Sequence, residues 1–182
     1  MRNRDKAREL LYHYTKSDSL RKHALAVEAA MRHFAEKFGE DADYWGNIGL
    51  LHDFDYEQYP DKHPLPGTDI LRDNGYDRDF TDSILSHVDT TGIDRNTKHR
   101  QTLFAVDELC GFVTAVALVR PSKKVADVKV KSVKKKLKDK AFARQVSRED
   151  IRKGAEQLGL PLEEVIENVV LAMSKVAPEL GL

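Results

Sequence analysis

The sequence predicts an all-α fold, and three observations carry that reading. Apolar residues recur at three- and four-residue steps, as in Leu20, Ala24, Val27, Met31, Phe34 and Phe38. No stretch alternates apolar and polar residues as a half-buried strand requires. Cap and stop residues fall between the periodic segments, with no internal repeat or low-complexity run.

The elements follow in order. Leu10, Leu11 and Tyr14 give a short helix from Arg4 to Tyr14. Ser17 or Asp18 caps the next, which runs from about Ser19 to Phe38 and stops at Gly39. His23 lies at the buried edge of that helix, and His33 reads as a surface residue. Asp41 and Asp43 start a third helix through Trp45, Ile48 and Leu51, where Gly46 and Gly49 allow another backbone to pack closely. Three prolines, Pro60, Pro64 and Pro66, then force an irregular loop. Short helices are expected from Thr68 to Asn74 and from Arg78 to Val88. The most apolar helix spans Thr97 to Val119 and ends before Pro121. Val125, Val128, Val133 and Leu137 give a helix with a narrow apolar edge. Ser147-Arg148-Glu149-Asp150 resembles a capping box for a helix to Leu158. Pro161 opens the last helix, to about Ala177.

At 182 residues, a single domain over 1–182 is expected, long enough to bury a core. The start, Met1-Arg2-Asn3-Arg4-Asp5, lacks the apolar region of a signal peptide, and no segment is read as the ~18 apolar residues a membrane span needs. Cys110 is the sole cysteine, which excludes an internal disulfide and suits a reducing cytoplasm. Formal charge is zero, yet Arg120 to Lys153 carries fourteen Lys/Arg against four Asp/Glu. That asymmetry suggests a region meeting anions. Interleaved aromatics for base stacking are missing there, which disfavours nucleic acid as the partner.

The stretch with most chemistry is Leu50-Leu51-His52-Asp53-Phe54-Asp55. Neighbouring side chains on a regular helix diverge by about 100°, so His52 and Asp53 can face one ion only where a helix ends. Other ligand-type residues are His23, His63, His87 and Asp107. Asp107 sits among Val106, Leu109 and Phe112, and a carboxylate in such company needs a cation, a proton or strong hydrogen bonds. Cys110 reads as packing, and His13, His33 and His99 as surface or structural.

His23, then His52-Asp53, then Asp107 resembles the signature of the HD superfamily of metal-dependent phosphohydrolases, including small HDIG-type predicted hydrolases. The resemblance covers roughly residues 19–119. It implies an HD-domain-like bundle in which His23, His52, Asp53 and Asp107 hold one divalent ion. The remaining residues, 120–182, would add basic and C-terminal helices. Two-metal members carry two further histidines between the pair and the last aspartate. His63, followed by Pro64 and Gly67, and His87, followed by Thr90-Thr91-Gly92, are similar to these, with Asp53 bridging two ions. Mn, Fe, Ni, Co, Zn and Mg all remain open. Many relatives follow the pair with a small residue and glycine, where this chain has Phe54-Asp55, so the role of Asp55 is undefined.

The resemblance implies hydrolysis of a small phosphorylated metabolite or nucleotide, with His52 and Asp53 at the catalytic centre. Arg120, Lys123 and Lys124 are expected to hold phosphate groups, against the alternative of a solvated helix face. A single-ion nucleotidase is the other enzymatic reading. Outside catalysis, the alternative is a metal-stabilised ligand-sensing or anion-binding helical module. Oligomeric state is not legible.

Overall fold

The computed structural model describes residues 3–182. Among them are ten α-helices, two short 3-10 turns and no strand. The helices are α1 (Arg4–Tyr14), α2 (Asp18–Phe38), α3 (Ala42–Leu51), α4 (Leu65–Asp73), α5 (Arg78–Leu85), α6 (Lys98–Leu118), α7 (Val130–Leu137), α8 (Arg148–Leu158), α9 (Leu162–Lys175) and α10 (Ala177–Leu180). The all-α expectation holds.

Local chemistry sets the ends. The Asp41 carboxylate accepts the Asp43 and Tyr44 N–H groups at the start of α3. Ser147 accepts the Asp150 N–H and caps α8. Gly39 and Gly159 end α2 and α8 in the left-handed conformation that favours glycine. Several expected boundaries shift. Helix α4 begins at Leu65, ahead of Thr68, because Pro66 lies in its first turn, where a missing N–H costs nothing. Helix α5 stops at Leu85, so His87 stands just past a helix end. The expected helix over Val125 to Leu137 splits into a 3-10 turn at Val125–Asp127 and α7. The last helix divides likewise, into α9 and α10.

Helices α2 and α6 form the centre. On α2, Ala24, Val27, Met31 and Phe34 are buried, and α3 lies across that face. Gly49 makes the crossing close: a Cβ there would stand 2.9 Å from the Val27 carbonyl oxygen. Helix α6 packs on α2, α8 and α9. By length and composition α6 is apolar enough to cross a membrane, which the sequence reading missed. Here most of it is core, with Leu103, Val106, Leu109, Phe112 and Val113 fully buried. His33 is also not a simple surface residue; it is half-buried, with its Nε2 2.8 Å from Asn168 Oδ1 on α9.

A second close crossing joins α8 to α6. A Cβ on Gly154 would stand 2.6 Å from the Ala105 Cα, and backbone cannot swing aside as a side chain can. Gly154→Val is therefore expected to destabilise by about 2–3 kcal/mol, through overpacking. A lower urea midpoint at unchanged slope would register it. A midpoint equal to wild type would mean that α8 is not held at this distance.

Candidate metal centre

The end of α3 is where the imidazole of His52 and the carboxylate of Asp53 turn to the same side. His52 Nε2 lies 3.3 Å from Asp53 Oδ2 and 3.3 Å from Asp107 Oδ1. His23, from α2, brings its Nε2 to 3.0 Å from Asp107 Oδ1 and 4.0 Å from Asp53 Oδ2. Asp107, from α6, is not sealed in the apolar core. Its side chain retains 19 % exposure, because this face of α6 borders a cleft. On the other side of Asp53, Oδ1 lies 3.1 Å from His63 Nε2 and 3.3 Å from His87 Nε2. The two imidazole nitrogens of His63 and His87 are 3.2 Å apart. The ligand atoms thus form two groups that share Asp53: His23, His52, Asp53 and Asp107, then Asp53, His63 and His87.

Hydrogen bonds at the far nitrogens fix the imidazoles. His52 Nδ1 donates to the Gly49 carbonyl at 2.8 Å, and His87 Nδ1 donates to that of Ile84. His63 Nδ1 donates to Asp55 Oδ1 at 2.7 Å. In the neutral imidazole, each Nε2 then carries a lone pair that points at a carboxylate or at another lone pair. His52 Nε2 is fully buried and makes no hydrogen bond among the described residues. Such an arrangement repels itself unless a cation or a proton lies between. Imidazole and carboxylate donors suit first-row divalent metals, so these residues fit such ions.

Without metal, protons do that work. Burial alone would lower the His52 imidazole, but Asp53 and Asp107 outweigh it and hold it well above its ordinary value. Burial likewise opposes the charged form of His63, yet Asp53 and Asp55 bring it to about 9. Burial would raise Asp53 and Asp107; the His52 charge keeps both well below the carboxylate range.

Sequence reasoning left Asp55 without a role, and the fold supplies one. It is buried, accepts the His63 N–H through Oδ1 and accepts the Gly67 N–H at 2.8 Å through Oδ2. Carboxylates behind metal-binding histidines fix the tautomer and raise ligand basicity. Gly67 makes the contact possible, since a Cβ there would lie 2.6 Å from the Asp55 Cγ. The His63–Pro64 peptide is cis. Gly67→Ala should displace Asp55 and weaken metal binding about 10–100-fold. Competition against a fluorescent zinc chelator would measure it, and unchanged affinity would dismiss Asp55 as an orienting group.

The centre opens into a cleft of about 460 Å³, walled by Tyr56, Val88, Phe104, Glu108, Val146 and Asp150 among others. Glu108 was not anticipated. Burial and the adjacent Asp107 charge push its carboxyl up to about 7, and it accepts the Ser147 N–H at 3.1 Å. Among the described residues, no lysine or arginine lines this cleft. Arg120, Lys123 and Lys124 were expected at the site and are not brought to it. Helix α6 is continuous, so the rise of 1.5 Å per residue has carried the chain about 16 Å from Asp107 by Leu118. Lys123 and Lys124 are exposed.

A helical bundle that gathers histidines and aspartates from α2, the end of α3 and α6 defines the class of helical metal-site proteins. The HD domain model matches residues 20–110, half of the chain, and the chain belongs to that family. That membership places it in a superfamily of metal-dependent hydrolases. No curated protein and no solved structure matches it.

Proposed function

We propose that this protein is a two-metal phosphohydrolase acting on a small phosphorylated metabolite or nucleotide. The observation that supports this most directly is the division of Asp53. Its Oδ2 faces His52 and His23, and its Oδ1 faces His63 and His87. A carboxylate spanning two histidine groups is what a pair of ions requires of its shared ligand. Divalent ions bound there would bring a water to ionise near neutral pH and would stabilise charge on the attacking and leaving oxygens at phosphorus.

The chain's own contribution is to prepare that environment. Gly49, Asp55 and Ile84 hold three imidazoles with their Nε2 atoms inward. Asp53 and Asp107 neutralise only part of the charge of two divalent ions, so the centre attracts a phosphate dianion. With no lysine or arginine among the described residues of the cleft wall, recognition of the phosphate falls to that centre. Phe104, Val88 and Val146 supply apolar wall around the reacting group.

Metal analysis paired with a panel of phosphomonoesters, phosphodiesters and nucleotides tests the reading. Two ions per chain are expected, with phosphate release that EDTA stops and Mn²⁺ restores. A protein that holds metal and hydrolyses nothing on the panel would overturn the enzymatic reading in favour of a ligand-sensing domain.

A further inference from the structure

This inference rests on the phosphohydrolase reading and concerns what the substrate carries besides phosphate. The metal cleft does not end at its ligands. His23 and Gly111 stand in its wall and also in the wall of a second cavity of about 390 Å³. That chamber lies between the start of α2 and the second half of α6, beside Leu180 and Leu182. Along α6, Asp107, Gly111, Thr114 and Leu118 follow at four-, three- and four-residue steps, so they share one face. Helical rise puts Gly111 about 6 Å and Leu118 about 16 Å from Asp107 along the axis. Ser19, Lys22 and His23 of α2 form the opposite bank. The two cavities therefore adjoin at His23 and Gly111, and the second is bordered by Leu118, Leu180 and Leu182.

Gly111 leaves space where the two cavities adjoin. A Cβ built there would meet nothing within 4 Å, in contrast to Gly154, whose Cβ would strike Ala105. Glycine inside a helix costs about 1 kcal/mol relative to alanine, and no close-packed backbone accounts for it here. The charge of the two chambers is equally informative. Glu108 and Asp150 border the metal cleft, and the charge of Asp89 is met by Arg95 and Lys153. In the second chamber the charged side chains are Asp18 and Lys22, paired at 2.8 Å, besides His23. Among the described residues, neither chamber offers an unpaired lysine or arginine to a second phosphate. Leu118, Leu180 and Leu182 offer apolar surface instead.

We propose that the substrate is a phosphomonoester with an uncharged, largely apolar body, which lies across Gly111 and ends between Leu118 and Leu180. The test uses non-hydrolysable probes. Metal-loaded protein is titrated calorimetrically with methyl-, butyl- and octylphosphonate. Affinity should rise roughly fourfold per methylene as the chain enters the chamber. Gly111→Leu should lower the octyl-to-methyl affinity ratio at least tenfold, with circular dichroism reporting the fold. Leu118→Asp, at a position 49 % exposed, should lower the same ratio while leaving Gly111 unchanged. A flat ladder in the wild type, or ladders as steep in both variants, overturns the inference while phosphate release from esters continues. Loaded protein that binds no phosphonate of any length overturns the phosphohydrolase reading and this inference together.

Discussion

Asp53→Ala should abolish phosphate release, by at least about 10³-fold in kcat/KM, and strip both metals from a protein that still folds. Asp53 is the one side chain that both ligand groups use, so its removal leaves three ligands on one side and two on the other. His87→Ala, by contrast, removes a ligand from one group alone and should leave one ion bound. The fold should survive Asp53→Ala because Leu50, Leu51 and Phe54 around it are fully buried and untouched. Elemental analysis with circular dichroism separates these outcomes. An alanine variant that keeps two ions, or keeps its turnover, would refute the shared-ligand arrangement.

Metal should stabilise the protein more strongly at pH 9 than at pH 6. In the metal-free protein His63 is raised from its ordinary 6.5 to about 9, after burial is outweighed by Asp53 and Asp55. A raised histidine contributes stability that is fully present below its unfolded pKa and is lost as pH climbs through the folded one. That shift corresponds to ~3 kcal/mol, and His52 adds to it in the same direction. Asp53 and Asp107 act oppositely: lowered in the fold, their contribution is present above the unfolded carboxylate range and lost only in acid. The metal-free protein should thus lose stability between pH 6.5 and 9, while metal holds the same imidazoles without protons. At pH 6 an ion must displace those protons first. The gain in thermal midpoint on adding Mn²⁺ should therefore grow by roughly 5–10 °C between these pH values. A gain that shrinks with rising pH would contradict the proton-for-metal exchange.

Much of the site is legible in the chain because metal ligands must be particular residue types. His23, His52, Asp53 and Asp107 stand out through their resemblance to the HD signature, and His63 and His87 through its two-metal version. Asp55 does not. Its role depends on a loop that returns twelve positions later to place the Gly67 N–H on its carboxylate. Glu108 and Tyr56 are ordinary letters until the cleft exists. The basic stretch misled for a simple reason: nearness to Asp107 in sequence becomes distance when the intervening segment is a straight helix. Boundaries slipped at Leu65 and Leu85, where prolines and a turn at Ser86-His87 decide the ends.

By itself, the sequence determined the helical class, through apolar spacing, and its resemblance to the HD signature singled out the candidate metal ligands. Tertiary structure alone decided that Asp53 divides its two oxygens between separate histidine groups. It also decided that Gly111 stands in the walls of both the metal cleft and a second cavity. Both facts are distances between elements remote along the chain, and such distances arise only when α2, α3 and α6 pack.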